Sequence, residues 1–181
     1  MLSVVLAVMV ILFLYQPVKV EGTSMMPGLV DQERIFINKF VYRFGLADIS
    51  RGDTVVFWFP QDTSKSYIKR VIGVPGDTVE VAGGAVLVNG QQLNEPYVPE
   101  EYRDHSSAPK HVLAPDEYFV LGDNSANSRD SRAWDKPGVP ERDFLGKPFL
   151  IHQPLRLGRV TVNGNDRTYQ TVDWARVKWV R

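Results

Sequence analysis

A chain of 181 residues, 44% hydrophobic and 23% charged, can bury one core, and we expect a single folded domain. Basic and acidic residues balance at 21 each, so the excess positive charge typical of nucleic-acid-binding proteins is missing. The absence of cysteine excludes disulfides, thiolate zinc sites and cysteine nucleophiles. The charge balance therefore predicts no nucleic-acid partner. His105, His111 and His152 lack metal-ligand spacing, so the sequence predicts no metal, and we expect no cofactor.

The chain begins with an apolar segment. Residues 1–15 contain no charge, glycine or proline, although a helix needs about 20 apolar residues to cross a bilayer. A cleaved secretion signal would have a similar length, but its small-residue cleavage pattern is missing from the continuation Gln16, Pro17, Val18. We therefore predict an uncleaved transmembrane helix at residues 1–17, truncated at its N-terminal side because no basic flank precedes it.

After Gly22 the sequence changes to short runs of valine, isoleucine and aromatic residues between glycine, proline, aspartate and asparagine. This texture predicts a mainly β fold of antiparallel sheets. The predicted strands are residues 33–38, 53–59, 65–74, 77–82, 85–88, 117–121 and 148–152. The dipeptides Gly83-Gly84 and Asn89-Gly90 predict hairpin turns because their residues accept positive φ.

Two further regions differ from this pattern. Residues 94–116 are rich in proline and charge, and we expect them to form an exposed insertion in a β domain that spans residues 18–153. Residues 154–181 form a C-terminal extension of unknown role, with strand-like pieces at 159–162 and 176–180.

Three consecutive aromatic residues, Phe57, Trp58 and Phe59, lie in one predicted strand. Since side chains alternate along a strand, they cannot all enter one core, and at least one should be exposed. Tryptophan favours the bilayer interface, so the sequence predicts shallow membrane contact at Trp58.

Candidate chemistry lies first in the segment Glu21–Gly28, where Ser24 stands between a glycine-containing approach and a proline turn. Such a bend can expose a hydroxyl and leave backbone N–H groups free to hold a developing oxyanion. By itself the segment also fits an ordinary structural turn. Another segment, Gly122–Arg132, holds small polar and charged residues directly after an apolar strand, and by itself it also fits an ordinary turn.

The remaining candidate segment, Tyr67–Ile72, contains Lys69. Strand alternation places Lys69 on one face with Tyr67 and Val71, and Arg70 on the other face. Because each face carries apolar and basic residues, one of the two cations should pack among apolar groups, although an edge strand with two snorkelling cations also fits. A lysine is a general base only when neutral, and an ordinary pKa leaves about one molecule in a thousand neutral near pH 7. Burial would lower the pKa of Lys69 toward the useful range.

Together the three segments resemble the signature motifs of bacterial type I signal peptidases in order, spacing and residue type. The motifs are S-M-x-P with its serine at Ser24, Y-I-K-R-V-I-G-x-P-G-D at Tyr67–Asp77, and G-D-N-x-x-N-S-x-D-S-R at Gly122–Arg132. The likeness includes residues 51–53, 139–142 and 145–147, and so extends over residues 1–153.

The resemblance implies that Ser24 attacks the scissile carbonyl of a preprotein and that Lys69 takes its proton and returns it to the leaving amine. It implies that Ser128 hydrogen-bonds and orients the lysine. Four charged residues would support the site from outside: Asp130 and Arg132 as the pair that braces the loop, with Asp123 and Arg70.

The resemblance also implies a substrate cleft that accepts small side chains in an Ala-x-Ala pattern, with Val20 and Ile68 at its apolar walls. One position departs from many family members, which have an oxyanion-binding serine where this chain has Gly22. A subgroup with G-x-S-M shares the glycine. We therefore expect a backbone oxyanion hole at Gly22 and Ser24, with the Ser24 N–H as main donor.

A signal peptidase of this kind would be a single-pass protein of the cytoplasmic membrane with its catalytic domain on the extracytoplasmic side. Its partners would be signal-peptide-bearing preproteins and membrane lipid, and we expect a monomer. Because nine residues separate Tyr15 from Ser24, the nucleophile should lie within roughly 30 Å of the apolar segment and face the membrane.

Three other classes are relevant. The self-cleaving SOS repressors and mutagenesis proteins share the serine–lysine mechanism and a similar β core, but the repressors carry a DNA-binding helix-turn-helix where this chain has an apolar segment. An inactive membrane-anchored β domain would not need Ser24, Lys69 and Ser128 together. Serine β-lactamases and penicillin-binding proteins require S-x-x-K, and here Pro27 occupies the lysine position.

Overall fold

The computed structural model describes residues 15–39, 48–153, 155–162, 165–177 and 179–180. These residues form thirteen strands, and all strand pairs among them are antiparallel. The strands are β1 (Tyr15–Lys19), β2 (Arg34–Asn38), β3 (Thr54–Phe59), β4 (Asp62–Gly73), β5 (Thr78–Ala82), β6 (Ala85–Val88), β7 (Gln91–Gln92), β8 (Ala108–Val112), β9 (Glu117–Leu121), β10 (Val139–Pro140), β11 (Phe144–Gln153), β12 (Leu155–Val162) and β13 (Asn165–Val172). Short 3-10 helices cover Glu100–Tyr102, Ser125–Asn127, Glu141–Asp143 and Trp174–Arg176.

The described strands form three sheets. A seven-stranded sheet has the order β1-β2-β11-β3-β4-β9-β10, a four-stranded sheet has the order β7-β6-β5-β8, and β12 pairs with β13. In the large sheet, β1 is an edge strand that leads into the turn holding Ser24, and β4 carries Lys69 opposite Val55 of β3. The large sheet therefore positions both candidate catalytic residues.

Three apolar clusters pack against β4 and its neighbours. Val71 lies in an aromatic-rich core with Phe57 and Trp134, whereas Ile72 faces a second core with Val79 and Phe119. The third cluster packs beneath the Ser24 turn and consists of Val20, Met25, Leu29, Ile35 and Ile151. Burial of these side chains fixes the register of the strands, because a slip of one residue would turn each side chain to the opposite face.

The predicted mainly β, antiparallel fold is confirmed, and each of the seven predicted strands is present with its ends shifted by at most a few residues. Both predicted hairpin turns are also found. Gly83 and Gly84 join β5 to β6 with φ of 57° and 85°, and Asn89 and Gly90 join β6 to β7 with φ of 53° and 79°. Trp58 is 41% exposed while Phe57 and Phe59 are buried, as alternation required.

Two predictions about the rest of the chain are wrong in part. Residues 94–116 are not simply an exposed insertion, because β8 pairs with β5 and the side chains of Val98, Ala108 and Leu113 are buried. Ala108 and Leu113 belong to the second core. In the tail, residues 159–162 lie in a strand as predicted, whereas Arg176 lies in a 3-10 helix and Trp179 forms an isolated β-bridge with Leu150. Asp173 caps a 3-10 turn by accepting a hydrogen bond from the Ala175 N–H.

The predicted membrane anchor, residues 1–17, lies mostly outside the described residues. Its last three residues belong to β1, where Tyr15 is opposite Asn38 and Pro17 is opposite Phe36. Within the described ranges, none of the helices has the length and apolar character needed to cross a bilayer.

Candidate active site

The site forms where the turn after β1 meets the middle of β4. Lys69 Nζ lies 2.5 Å from Ser24 Oγ, so the two side chains are hydrogen-bonded although 45 residues separate them in sequence. This geometry is what proton transfer from a serine hydroxyl to a lysine amine requires.

Lys69 is almost completely removed from water, with 4% of the residue exposed. Burial penalises the ammonium form and lowers the pKa of Lys69 from 10.5 to about 8, while the negative charges of Asp130 and Asp123 act in the opposite direction. At pH 7 a pKa near 8 leaves roughly one molecule in ten with a neutral amine. Lys69 is therefore suited to act as a base near neutral pH.

Arg70, on the opposite face of β4, is also buried, whereas the sequence predicted burial of only one of the two cations. Its Nε and Nη2 atoms each donate to the Asp123 carboxylate at 2.7 Å, and Nη1 donates to the Gly52 carbonyl at 2.7 Å. The guanidinium lies 4.2 Å from the Tyr97 ring centroid. These partners let a permanently charged arginine remain inside the protein.

The loop after β9 is organised around Asp130, which is fully buried. Asp130 accepts hydrogen bonds from the Gly122 N–H at 3.0 Å and from Arg132 Nε at 2.8 Å. Arg132 also donates hydrogen bonds from Nη1 to Asp104 Oδ1 at 2.8 Å and from Nη2 to the Ser125 carbonyl at 3.1 Å. The structure thus brings Asp130 and Arg132 together as the sequence predicted, and it adds Asp104, for which the sequence carried no signal.

Ser128 lies beside the site but does not make the predicted hydrogen bond to Lys69. Its buried Oγ has no hydrogen-bond partner among the described residues. A Cβ atom placed on Gly122 would overlap this hydroxyl and would come within 2.6 Å of the Ser24 carbonyl oxygen. Gly122 is therefore the residue that lets the Ser128 loop approach the nucleophile turn so closely.

Asn124 holds the nucleophile turn directly. Its backbone N–H donates to the Ser24 carbonyl at 2.9 Å, and its side-chain amide donates to the Thr23 carbonyl at 3.1 Å. The sequence placed Asn124 within a motif without giving it a role. Its position in that motif, beside Asp123, was the signal that could have identified it.

The oxyanion prediction needs a correction at Gly22. This residue has φ of +91°, which favours glycine, but its N–H donates to Asp31 Oδ1 at 2.7 Å. The Gly22 N–H is therefore not free to bind an oxyanion. The Ser24 N–H has no acceptor among the described residues and is therefore free to donate a hydrogen bond at the nucleophile.

A cleft of about 110 Å³ opens at Ser24 and Lys69, between residues 18–22 of the first strand and its turn and residues 66–69 of β4. Val20 and Ile68, the two predicted pocket residues, both line it, together with Met25. Met25 also borders a larger cavity of about 750 Å³ on the other side of the turn. Within the described ranges, no group of three or more histidine, aspartate or glutamate side chains is placed to hold a metal ion.

Comparison with known proteins identifies the family. The sequence pattern of the family described as signal peptidase, peptidase S26, matches residues 1–152. The chain belongs to this family. It is 39% identical over 164 residues to signal peptidase I P of Bacillus subtilis subsp. natto, covering 86% of each chain. It is 39% identical over 168 residues to signal peptidase I of Leptolyngbya laminosa, covering 88% of this chain and 79% of that protein.

Among solved structures, a signal peptidase I from Enterococcus faecalis V583 aligns with a TM-score of 0.45 at 27% identity, over 56% of this chain and 97% of that one. The family match confirms the predicted enzyme class, a serine endopeptidase of the signal peptidase type. The general function of this family is the removal of signal peptides from preproteins, and its members are membrane-associated.

The pKa of Lys69 predicts how the activity of this signal peptidase depends on pH. Burial lowers the pKa to about 8, and the neutral base becomes more abundant as pH rises through that value. The cleavage rate of a short peptide should therefore rise about tenfold per pH unit below pH 7 and level off above pH 9. Initial rates measured between pH 5.5 and 10 check this, with circular dichroism at each pH as the control for folding. A flat profile, or a rise only above pH 10, would contradict it.

Proposed function

We propose that this chain removes N-terminal signal peptides from exported preproteins with Ser24 as nucleophile and Lys69 as general base, and that it cuts after small residues in an Ala-x-Ala pattern. The observation that carries the proposal is the 2.5 Å contact between Ser24 Oγ and a lysine amine that burial shifts toward neutrality. Family membership supplies the general reaction.

In the acylation step, Ser24 Oγ attacks the scissile carbonyl carbon while its proton moves to the neutral amine of Lys69. The Ser24 N–H donates a hydrogen bond to the oxyanion. The Lys69 ammonium then protonates the leaving amine as the peptide bond breaks, which leaves the signal peptide as an ester on Ser24. In the second step Lys69 takes a proton from water, the resulting hydroxide attacks the ester, and the proton returns to Ser24 Oγ.

The cleft supports an extended substrate with small side chains. It is bounded by the edge strand β1 and by residues 66–68 of β4, which within the described residues pair only with β3. Both borders therefore offer backbone groups to an extended peptide. Its volume of about 110 Å³ is well below the roughly 300–1,000 Å³ of typical small-molecule sites. Walls at Val20 and Ile68 then favour alanine over larger side chains at the positions before the cut.

Other residues have proposed supporting roles. We propose that Ser128 orients Lys69 during the reaction. Its buried Oγ makes no hydrogen bond to another described residue, so it is available to the lysine amine, although the two groups are not hydrogen-bonded in this structure. The pairs Arg70–Asp123 and Asp130–Arg132 hold the surrounding loop in place. One chain supplies the nucleophile, the base and both pocket walls, which supports a monomeric enzyme without a cofactor.

We further propose that the apolar segment before β1, residues 1–14, anchors the enzyme as a single-pass protein of the cytoplasmic membrane, with the catalytic domain on the extracytoplasmic side. The predicted anchor is shorter by residues 15–17, which belong to β1. The apolar segment leads directly into β1, and Val18 already lines the cleft. The exposed Trp58 is opposite Ser66, another residue of the cleft. A cleft this close to the lipid surface would receive a cleavage site that emerges beside a membrane-embedded signal segment.

The mechanism is tested with detergent-solubilised enzyme and a preprotein that carries an Ala-x-Ala site. Ser24→Ala and Lys69→Ala should each lower the cleavage rate by about 10³-fold or more, because nucleophile and base act as one unit. Lys65→Ala is the matched control, since Lys65 lies on the same strand with its side chain 61% exposed and should leave the rate unchanged. Cleavage at the wild-type rate by either Ser24→Ala or Lys69→Ala would contradict the mechanism.

Membrane contact is tested by Trp58→Ser. The variant should lose several-fold more activity on a preprotein embedded in lipid vesicles than on a short soluble peptide, because the indole would no longer hold the cleft at the interface. Val112→Ser, at another exposed apolar residue, is the control and should change neither rate. An equal loss by Trp58→Ser on both substrates would refute the idea.

A further inference from the structure

The chain after β13 returns to the catalytic domain and docks on β11. The Val180 N–H donates to the Phe149 carbonyl at 3.0 Å, and the Trp179 ring stacks on Phe149 with ring centroids 5.9 Å apart. Trp179 also bridges to Leu150. The described part of this tail, residues 173–177 and 179–180, is therefore held against the same sheet that carries the active site.

Arg176 extends from the docked tail to the loop that carries the nucleophile. Its Nε donates to Glu33 Oε1 at 3.1 Å. Its Nη2 reaches the carbonyl oxygens of Pro27 at 3.4 Å and Gly28 at 3.5 Å. Pro27 follows Ser24 by only three residues, so the guanidinium contacts the far end of the nucleophile turn.

Glu33 is the fixed point of this contact, since its side chain has no exposed surface. Its Oε2 accepts a hydrogen bond from the Val30 N–H at 2.8 Å, and its backbone carbonyl accepts one from the Val20 N–H at 2.8 Å. A buried carboxylate needs a positive partner to remain charged at low cost. Arg176 supplies that charge and thereby joins the tail to the turn and to the strand end that forms the cleft wall.

Apolar packing follows the same path. Val180 packs against the cluster formed by Val20, Met25, Leu29, Ile35 and Ile151. Met25 directly follows Ser24, and its carbonyl accepts a hydrogen bond from the Leu29 N–H at 2.9 Å. The tail thus packs against the apolar cluster beneath the nucleophile turn, to which Met25 belongs.

We propose that Arg176 is a positioning residue for the reaction, which holds the Ser24 turn on Glu33 and so keeps Ser24 Oγ within reach of Lys69. This gives a catalytic purpose to residues beyond 152, where the family match ends. The inference rests on the proposed roles of Ser24 and Lys69. A small displacement of a reacting group can lower a rate by about 10²-fold, so a loosened turn would be visible in kcat.

The test compares Arg176→Ala with the unchanged enzyme on a short soluble Ala-x-Ala peptide. We expect kcat to fall by about 10- to 100-fold with KM changed by less than about threefold. The turn loses the Arg176 contacts, whereas the cleft walls keep backbone pairing that does not involve Arg176: the Val20 N–H donates to the Glu33 carbonyl, and Ile68 pairs with Val56 of β3. The midpoint of the pH–rate profile should also move to higher pH. Water admitted beside Ser24 would favour the Lys69 ammonium, while the charged groups that face Lys69, namely Asp123, Asp130 and Arg132, are unchanged. Arg176→Lys should recover part of kcat.

Arg142→Ala is the matched control, since this arginine pairs with Asp116 on the surface with its side chain 74% exposed and should alter nothing. Thermal unfolding is recorded for every variant, and Arg176→Gln, which keeps a donor toward Glu33, replaces Arg176→Ala if the latter does not fold. Wild-type kcat and pH midpoint in a folded variant would overturn the proposal. The proposal would also be overturned if the cleavage rate fell only in proportion to the fraction of folded protein, or if neither Arg176→Ala nor Arg176→Gln folded. Activity retained by Ser24→Ala would instead refute the proposed mechanism.

Discussion

Burial of a lysine amine that forms no salt bridge with any described residue is the constraint on which the rest of this site depends. Two carboxylates lie near enough to influence Lys69, and either one as a direct partner would hold it as an ammonium. Each is instead paired with an arginine, Asp123 with Arg70 and Asp130 with Arg132. The arginines satisfy the buried negative charge, so the effect of burial on Lys69 prevails and its amine becomes a usable base.

The same arrangement explains why two adjacent cations on β4 have different functions. Alternation turns Lys69 toward Ser24 and Arg70 toward Asp123, and both are buried because each face of the strand is covered by a different part of the chain. The Gly122–Arg132 loop supplies the partners on one side. Its Asn124 also fixes the Ser24 carbonyl, so one loop sets both the charge around the base and the position of the nucleophile.

Local patterns and motif likeness predicted much of this from sequence, and long-range contacts account for what they missed. Alternation found the strands, and the motifs placed Ser24, Lys69, Val20 and Ile68 around one cleft. The Gly22 N–H was assigned wrongly because nothing in the sequence shows that Asp31 folds back to accept its hydrogen bond. For the same reason the sequence of residues 94–116, rich in proline, did not show that β8 pairs with β5 or that Val98, Ala108 and Leu113 are buried. Arg176 and Glu33 are 143 residues apart, and no motif joins them.

The most direct test of this account is the titration of Lys69 itself, by NMR of enzyme with isotope-labelled lysine side chains. The Lys69 signal is assigned as the one missing from Lys69→Ala, and the exposed Lys65 serves as an internal reference. The account predicts that Lys69 titrates with a pKa of about 8. A Lys69 titration at the ordinary lysine value of 10.5 would contradict it.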